Sequence, residues 1–383
     1  MMHAVGLIAE FNPLHSGHQF ALQKARQLSG ADAVVVVMSG NFVQRGEPAI
    51  LDKWQRTQLA LDAGADVVVE LPVTSSVQAA DQFAEGAIDL LRGLNVHALA
   101  FGSEQADLDY LQLAKDLADI SGSQNQFRQY NQTFATQLNE AIVQQTGQAL
   151  TAPNTMLGLA YARATLAKDW PMALYPFARQ GRDHDDPELD AHSASASAIR
   201  HALRQQQPVP EEVLPAATQA MIERLMPLNW TTLFPLLRYR LQTTPLSQLR
   251  AIYTMSEGLE YRLVQQLRPG HDFDAFLEAI KSKRYTYARL RRLALYTVLN
   301  LTQNEMTWAA AHPVLHVLGF SAAGRAYLHQ EKKQINLPLI TKVNAAMLQP
   351  DGELNLVNRA DQLLENQTNR AQNYGRLPIM LRD

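Results

Sequence analysis

Cysteine is absent from the 383 residues, which excludes a disulfide framework, thiolate metal ligation and a cysteine nucleophile. No apolar run approaches the roughly 20 residues that a membrane helix needs. Charged residues make up only 19% against 46% hydrophobic, with 19 Gly and 18 Pro. That balance rules out disordered, collagen-like and coiled-coil chains. The opening Met1-Met2-His3-Ala4-Val5-Gly6-Leu7 has no basic leader before its apolar stretch, so it reads as a first strand and not as a signal peptide. The expectation is a soluble, cytoplasmic protein of two or three domains, with no membrane partner and no protein partner implied.

What is present is uneven. Lys, Arg, Asp and Glu sum to −9 over residues 1–200 and to +6 over residues 201–383. An acidic front and a basic rear point to the rear as the part that meets a polyanion. The front half alternates short β-branched runs with amphipathic segments: Val5 to Ala9, Val34 to Val37, Val67 to Val69, Ala98 to Phe101 and Met172 to Tyr175. Buried strands separated by helix-length segments imply a parallel sheet with right-handed crossovers, an α/β domain that places ligands at its strand ends. Beyond about residue 200 the spacing turns helical, as in Gln219 to Leu225, Tyr261 to Leu267 and Leu290 to Leu299, with a small closing piece after Leu337-Pro338.

The chemistry concentrates in Gly6-Leu7-Ile8-Ala9-Glu10-Phe11-Asn12-Pro13-Leu14-His15-Ser16-Gly17-His18. A strand runs into a loop that closes with His-x-Gly-His at a helix start. Unpaired N–H groups and the helix dipole attract a phosphate there, and Gly17 permits close approach. Two imidazoles one turn apart can donate to oxygens on a phosphorus that gains charge during attack. With no covalent nucleophile in the motif, catalysis would be by positioning and charge stabilisation. His-x-x-His alone is weak; after a first strand and Asn12-Pro13 it is strong.

This stretch resembles the HxGH nucleotidylyltransferase superfamily, whose members join an acid or phosphate to the α-phosphate of ATP and release pyrophosphate. Ser195-Ala196-Ser197-Ala198-Ile199-Arg200 is similar to that superfamily's later Ser-Ser-Thr-x-x-Arg signature, with Ala196 departing from it. The whole chain further resembles the tRNA(Met) cytidine acetate ligase family, through Met38-Ser39-Gly40-Asn41-Phe42-Val43-Gln44-Arg45-Gly46-Glu47-Pro48-Ala49 leading into Asp52-Lys53-Trp54, through Phe101-Gly102-Ser103-Glu104, and through Pro153-Asn154-Thr155-Met156-Leu157-Gly158.

The resemblance implies a Rossmann-like nucleotidylyltransferase (HUP-type) parallel sheet domain, residues 1–205, binding ATP and carrying the chemistry. A mostly helical basic domain, residues 206–383, would bind tRNA. It implies His15, His18, Ser197 and Arg200 as catalytic. It implies ATP contacts from Ile8, Ala9, Glu10, Phe11, Asn12, Pro13, Leu14, His15, Ser16, Gly17, His18, Gln19, Phe20 and Ala21, and from Gly102, Asn154 and Arg179. Mg²⁺ would arrive with ATP, because no dedicated metal cage is visible. Arg45 and Lys53 stay open between surface charges and anchors for acetate or pyrophosphate, and His184 and Asp185 have no assigned role.

Lys281-Ser282-Lys283-Arg284-Tyr285-Thr286-Tyr287-Ala288-Arg289-Leu290-Arg291-Arg292 holds six basic residues and no acid. Lys281, Lys283, Arg284, Arg289, Arg291 and Arg292 suit phosphates, and Tyr285 and Tyr287 can stack on unpaired bases. The expected reaction activates acetate as acetyl-adenylate and transfers the acetyl group to the wobble cytidine of elongator tRNA(Met), giving N4-acetylcytidine. A small-molecule adenylyltransferase would use the same two motifs without needing a basic helical half. A non-catalytic RNA-binding protein would need neither histidine.

Overall fold

The fold is seen in a computed structural model, which describes residues 1–121, 142–143, 150–179, 194–223 and 228–381. His184 and Asp185 lie outside the described residues, as do the last two residues of the helical reading 219–225.

An eight-stranded sheet is built from β1 (Ala4–Ala9), β2 (Ala33–Ser39), β5 (Val67–Leu71), β6 (Ala98–Ser103), β7 (Ala173–Ala178), β8 (Leu315–Phe320), β9 (Leu339–Ile340) and β10 (Ile379–Met380), in the order β10-β8-β5-β2-β1-β6-β7 with β9 beside β8. A small antiparallel hairpin is formed by β3 (Phe42–Val43) and β4 (Glu47–Pro48). The five strands from β5 to β7 are parallel, and pairing runs in register from Ala4 opposite Ala33 to Ala9 opposite Met38. Val34 to Val37 and Val67 to Val69 are wholly buried. Helices cover both faces, which is why these strands read as continuous apolar runs without alternation. One face packs on α1 (Ser16–Ser29) and α2 (Lys53–Asp62); the other packs on the helices Ala80–Gly93 and Pro153–Ala167.

Strand order reverses between β1 and β6, and the ends of those two strands open the crevice that such sheets use for ligands. The division at residue 205 needs correction: β8, β9 and β10 come from the rear half yet complete this sheet. β8 runs antiparallel to β5, with Val67 opposite Phe320. A lone strand containing His316 and Gly319 carries no β-branched run to announce it.

The helices between Trp230 and Ala311 form their own core around Leu233, Leu237, Phe276, Leu293 and Leu299. Trp230 stacks on Phe273 with ring centroids 3.7 Å apart, and its indole N–H donates to the Gly46 carbonyl at 3.0 Å. The Tyr296 hydroxyl donates to the Val77 carbonyl. The Trp230 and Tyr296 bonds fix the helical unit against the β3–β4 hairpin and against Val77 after the short helix Val73–Ser76. Among the described residues no helix is long and apolar enough to cross a membrane.

Candidate active site

His15 is the N-cap of α1, with extended backbone (φ −136°). Its Nδ1 accepts the Gly17 N–H at 3.1 Å, while Nδ1 of His18 accepts the His15 N–H at 3.3 Å. The two imidazoles thereby satisfy helix-start donors in a reciprocal cap. A Cβ on Gly17 would sit 2.9 Å from Cε1 of His15, so the ring can fold over the helix start only above a glycine. A neutral imidazole that accepts at Nδ1 carries its proton on Nε2. Burial, followed by Arg179 and Arg200, pulls the His15 pKa down to about 3. Burial, then His15 and Arg179, pulls His18 well below its usual value, with the Pro13 carbonyl acting in the opposite direction. The pair, 3.9 Å apart between ring centroids, is therefore neutral and presents Nε2–H donors.

The loop before α1 is held by a residue that the sequence reading passed over. Arg56, completely buried, donates to the carbonyls of Leu51 (2.9 Å), Glu10 (2.7 Å), Ser39 (2.8 Å) and Gly40 (2.5 Å). Burial lowers its pKa to about 10, still cationic at neutral pH. Asn12 accepts the Ile50 N–H at Oδ1 (2.9 Å) and the Arg200 guanidinium at its carbonyl (2.9 Å). Ser197 accepts a second Arg200 N–H at 3.1 Å, so it orients Arg200. Nδ2 of Asn12 and Nε of Arg200 are buried donors with no partner among the described residues, available to a ligand oxygen.

Across the crevice, Glu104 accepts from Asn154 Nδ2 (2.6 Å), Thr155 N–H (2.9 Å) and Arg179 (3.3 Å). Burial pushes its pKa up, and the Asn154 and Thr155 bonds outweigh that and hold it down. A Cβ on Gly102 would lie 2.9 Å from Arg179 Cγ and 3.3 Å from Phe177. The bare backbone thus makes room for Arg179 to cross the strand end.

One cavity of about 290 Å³ gathers these groups. It is lined by Ile8, Ala9, Glu10, Phe11, Asn12, His15, Gly17, His18, Phe20 and Ala21, with Gly102, Asn154, Arg179 and Arg200. Pro13, Leu14, Ser16, Gln19 and Ser197 do not line it; Leu14 is buried in the core beside α1. Arg45 lines it, and Lys53 does not. The Lys53 ammonium is fully buried elsewhere, bonded to Glu70 (2.7 Å), Asp361 (2.7 Å) and Asn373 (2.9 Å), which uses all three of its donors. A larger cavity of about 450 Å³ lies beside Trp308, His312 and Pro350, but none of the motif residues reaches it. Among the described residues no three His, Asp or Glu side chains cluster closely enough to hold a metal ion.

The basic segment wraps the start of the helix Tyr287–Leu299. Arg284 pairs with Glu257 at 2.5 Å and Arg291 with Glu47 at 3.1 Å, while Arg292 donates to the Gln44 carbonyl at 3.3 Å. Lys281 lies over the exposed Tyr287 ring, 5.3 Å from its centroid. Tyr285 departs from expectation: it is 6% exposed, its hydroxyl bonds Glu257, and Arg289 covers its ring. It supports the surface and has no open face for a base.

A family model described as HIGH Nucleotidyl Transferase matches residues 2–376. The chain is 45% identical to the tRNA(Met) cytidine acetate ligase of Lactobacillus gasseri and 47% identical to that of Limosilactobacillus fermentum, covering 99% of this chain in both cases and 99% and 100% of those proteins. The chain belongs to the tRNA(Met) cytidine acetate ligase family. Solved structures agree: the apo crystal structure of Thermotoga maritima TmcAL superposes with a TM-score of 0.88, and the form bound with alpha-thio ATP with 0.84, each 28% identical and covering both chains completely. The nucleotidyltransferase fold and membership in a family of ligases are as the motifs implied. Residues from the histidine loop, the turn at 43–47 and the strand end at Gly102 meet Asn154, Arg179 and Arg200 in the cavity at the sheet's switch point, while Lys53 and Ser197 lie outside it. Arg56 has no motif of its own, because the carbonyls it binds are brought together only by folding, and Glu104 ends a family stretch whose partners Asn154, Thr155 and Arg179 reach it only in the fold.

Proposed function

We propose that this chain activates acetate with ATP and transfers the acetyl group to the wobble cytidine of elongator tRNA(Met). The observation that carries the reading is the neutral histidine pair sharing one cavity with Asn154, Arg179 and Arg200. In the first step an acetate oxygen attacks the α-phosphorus of ATP, the bond to the β-phosphate bridging oxygen breaks, and pyrophosphate leaves. His15 and His18 donate to the α-phosphate oxygens as charge accumulates, and the positive end of the α1 dipole assists. Arg200 and Arg179 hold the departing phosphates. Asn154, fixed by Glu104, borders the nucleotide on the β6 side. Mg²⁺ would be carried by the triphosphate and would neutralise part of its charge, since among the described residues no three His, Asp or Glu side chains cluster to hold it.

In the second step the cytidine N4 amine displaces AMP from acetyl-adenylate. The helical unit would present the anticodon, with Lys281, Lys283, Arg284, Tyr287 and Arg289 toward the RNA. Arg291 and Arg292 bind the hairpin that borders the cavity, and so link that surface to the chemistry. The test is acetate-dependent exchange of labelled pyrophosphate into ATP. His15→Ala and His18→Ala should each lower exchange by about 100-fold or more while leaving tRNA affinity within a few-fold. Exchange unaffected by either change would refute the role given to the pair.

A further inference from the structure

The second step needs a proton acceptor, because the amine that forms the new C–N bond must lose a proton as AMP departs. The histidines are poorly suited: each Nδ1 already accepts a backbone N–H, each Nε2 carries its proton, and burial and neighbouring cations hold both rings neutral. Among the described residues two carboxylates line the cavity. Glu47 is engaged with Arg291 at 3.1 Å and Arg204 at 3.8 Å. Glu10 is different: Oε1 accepts the Gln44 N–H at 2.9 Å, and Oε2 has no hydrogen bond to any described residue.

Gln44 also places Glu10 on the acceptor side. Its N–H holds the carboxylate, and its carbonyl receives the Arg292 guanidinium from the basic helix. Glu10 therefore shares the cavity of the histidine pair and is tied to the hairpin against which the proposed RNA-binding helix docks. We propose that Glu10 is the general base of acetyl transfer, its free carboxylate oxygen taking the proton from the attacking cytidine amine. This rests on the acetyl-ligase reading above. The amine lone pair attacks the acetyl carbon, the C–N bond forms, and the bond from that carbon to the adenylate oxygen breaks, with AMP leaving. One N–H proton passes to Oε2 of Glu10 and from there to water. Burial raises the proton affinity of Glu10, which suits the task. The Gln44 N–H, then Arg200, Arg56 and Arg45, oppose that rise, and burial first and this carboxylate second push the Tyr161 hydroxyl up.

The experiment compares full-length wild type, Glu10→Gln and Glu10→Asp in two assays: acetate-dependent pyrophosphate exchange, and single-turnover transfer from acetyl-adenylate to a tRNA(Met) transcript across about pH 5.5 to 8.5. Glu10→Gln should slow transfer by on the order of 100-fold or more, with exchange losing less than about a tenth of that factor, and the acid limb of the transfer profile should vanish. Glu10→Asp should restore part of the transfer rate. Parallel loss of exchange and transfer would make Glu10 a nucleotide-holding residue and overturn the proposal, as would an unchanged transfer rate. If Glu10→Gln does not fold, Glu10→Asp must show the same separation of half-reactions. Wild type that exchanges pyrophosphate yet never acetylates tRNA would remove the ligase reading itself, a result distinct from any in the variants.

Discussion

Replacing Lys53 with Met separates scaffold from site at a position where the sequence allowed either. The ammonium is fully buried and makes bonds of 2.7, 2.7 and 2.9 Å to Glu70, Asp361 and Asn373. Glu70 and Asp361 have side chains only 2% exposed, and Glu70 has a second partner in His316 at 2.7 Å. Lys53 and His316 hold the Glu70 pKa down to about 2 against its burial, whereas burial and the Glu70 charge push Asp361 up. Lys53→Met would leave two buried carboxylates with no ammonium between them. Removing one partner of a buried pair costs roughly 3–5 kcal/mol, mostly through the stranded charge. In a chain of this size that lowers the unfolding temperature by roughly 4–6 °C. Thermal unfolding and acetate-dependent pyrophosphate exchange should be measured on the same preparation. The expected outcome is a large stability loss with the KM values for ATP and acetate nearly unchanged. Lys53→Met combined with Asp361→Asn should recover at least about half of the loss, because it removes one of the stranded charges. A stability loss below about 1 kcal/mol, together with a raised KM for acetate, would refute the reasoning and return Lys53 to the substrate site.

Three further outcomes are expected. The folded pKa values of His15 and His18 lie below the unfolded value near 6.5, so the unfolded chain binds more protons below that point. Their stabilisation is complete above about pH 6.5 and is lost as pH falls toward the folded values, at about 1.4 kcal/mol per pH unit for each ring. Urea unfolding of the ligand-free protein between about pH 6.5 and 5 should show that slope roughly halved in His15→Ala. Gly102→Ala forces the Arg179 side chain away from the strand end and should raise the KM for ATP by about 10- to 100-fold, read by exchange kinetics. Lys283→Ala with Tyr287→Ala, both exposed, should weaken tRNA binding and reduce the salt slope by about one, while Arg292→Ala, which removes the bond to Gln44, should also slow exchange.

The parallel sheet was legible because Val34 to Val37 and Val67 to Val69 are buried on both faces, leaving unbroken β-branched runs. Leu315 to Phe320 was not. Its partner is Val67 to Val69, nearly 250 residues earlier, and nothing local to His316 or Gly319 announces that pairing. The histidine loop could be read because one contiguous motif makes both cap and site. Arg56 escaped notice because its four carbonyl partners come from three separate segments. Lys53 stayed open between a surface charge and a pocket anchor, because the carboxylate at Asp361 and the amide at Asn373 reach it only when distant parts of the chain fold back. Tyr285 looked like half of a stacking pair because Glu257, which claims its hydroxyl, lies outside the basic run. Local chemistry was visible where the partners were local.

The most direct measurement incubates the purified protein with ATP, Mg²⁺, isotopically labelled acetate and unmodified elongator tRNA(Met), then digests the RNA for nucleoside mass spectrometry. Labelled N4-acetylcytidine, absent when ATP or acetate is withheld and absent with His15→Ala, is the expected result. Unlabelled RNA from a preparation that still exchanges pyrophosphate into ATP would contradict it and assign the cavity to a different acid or acceptor.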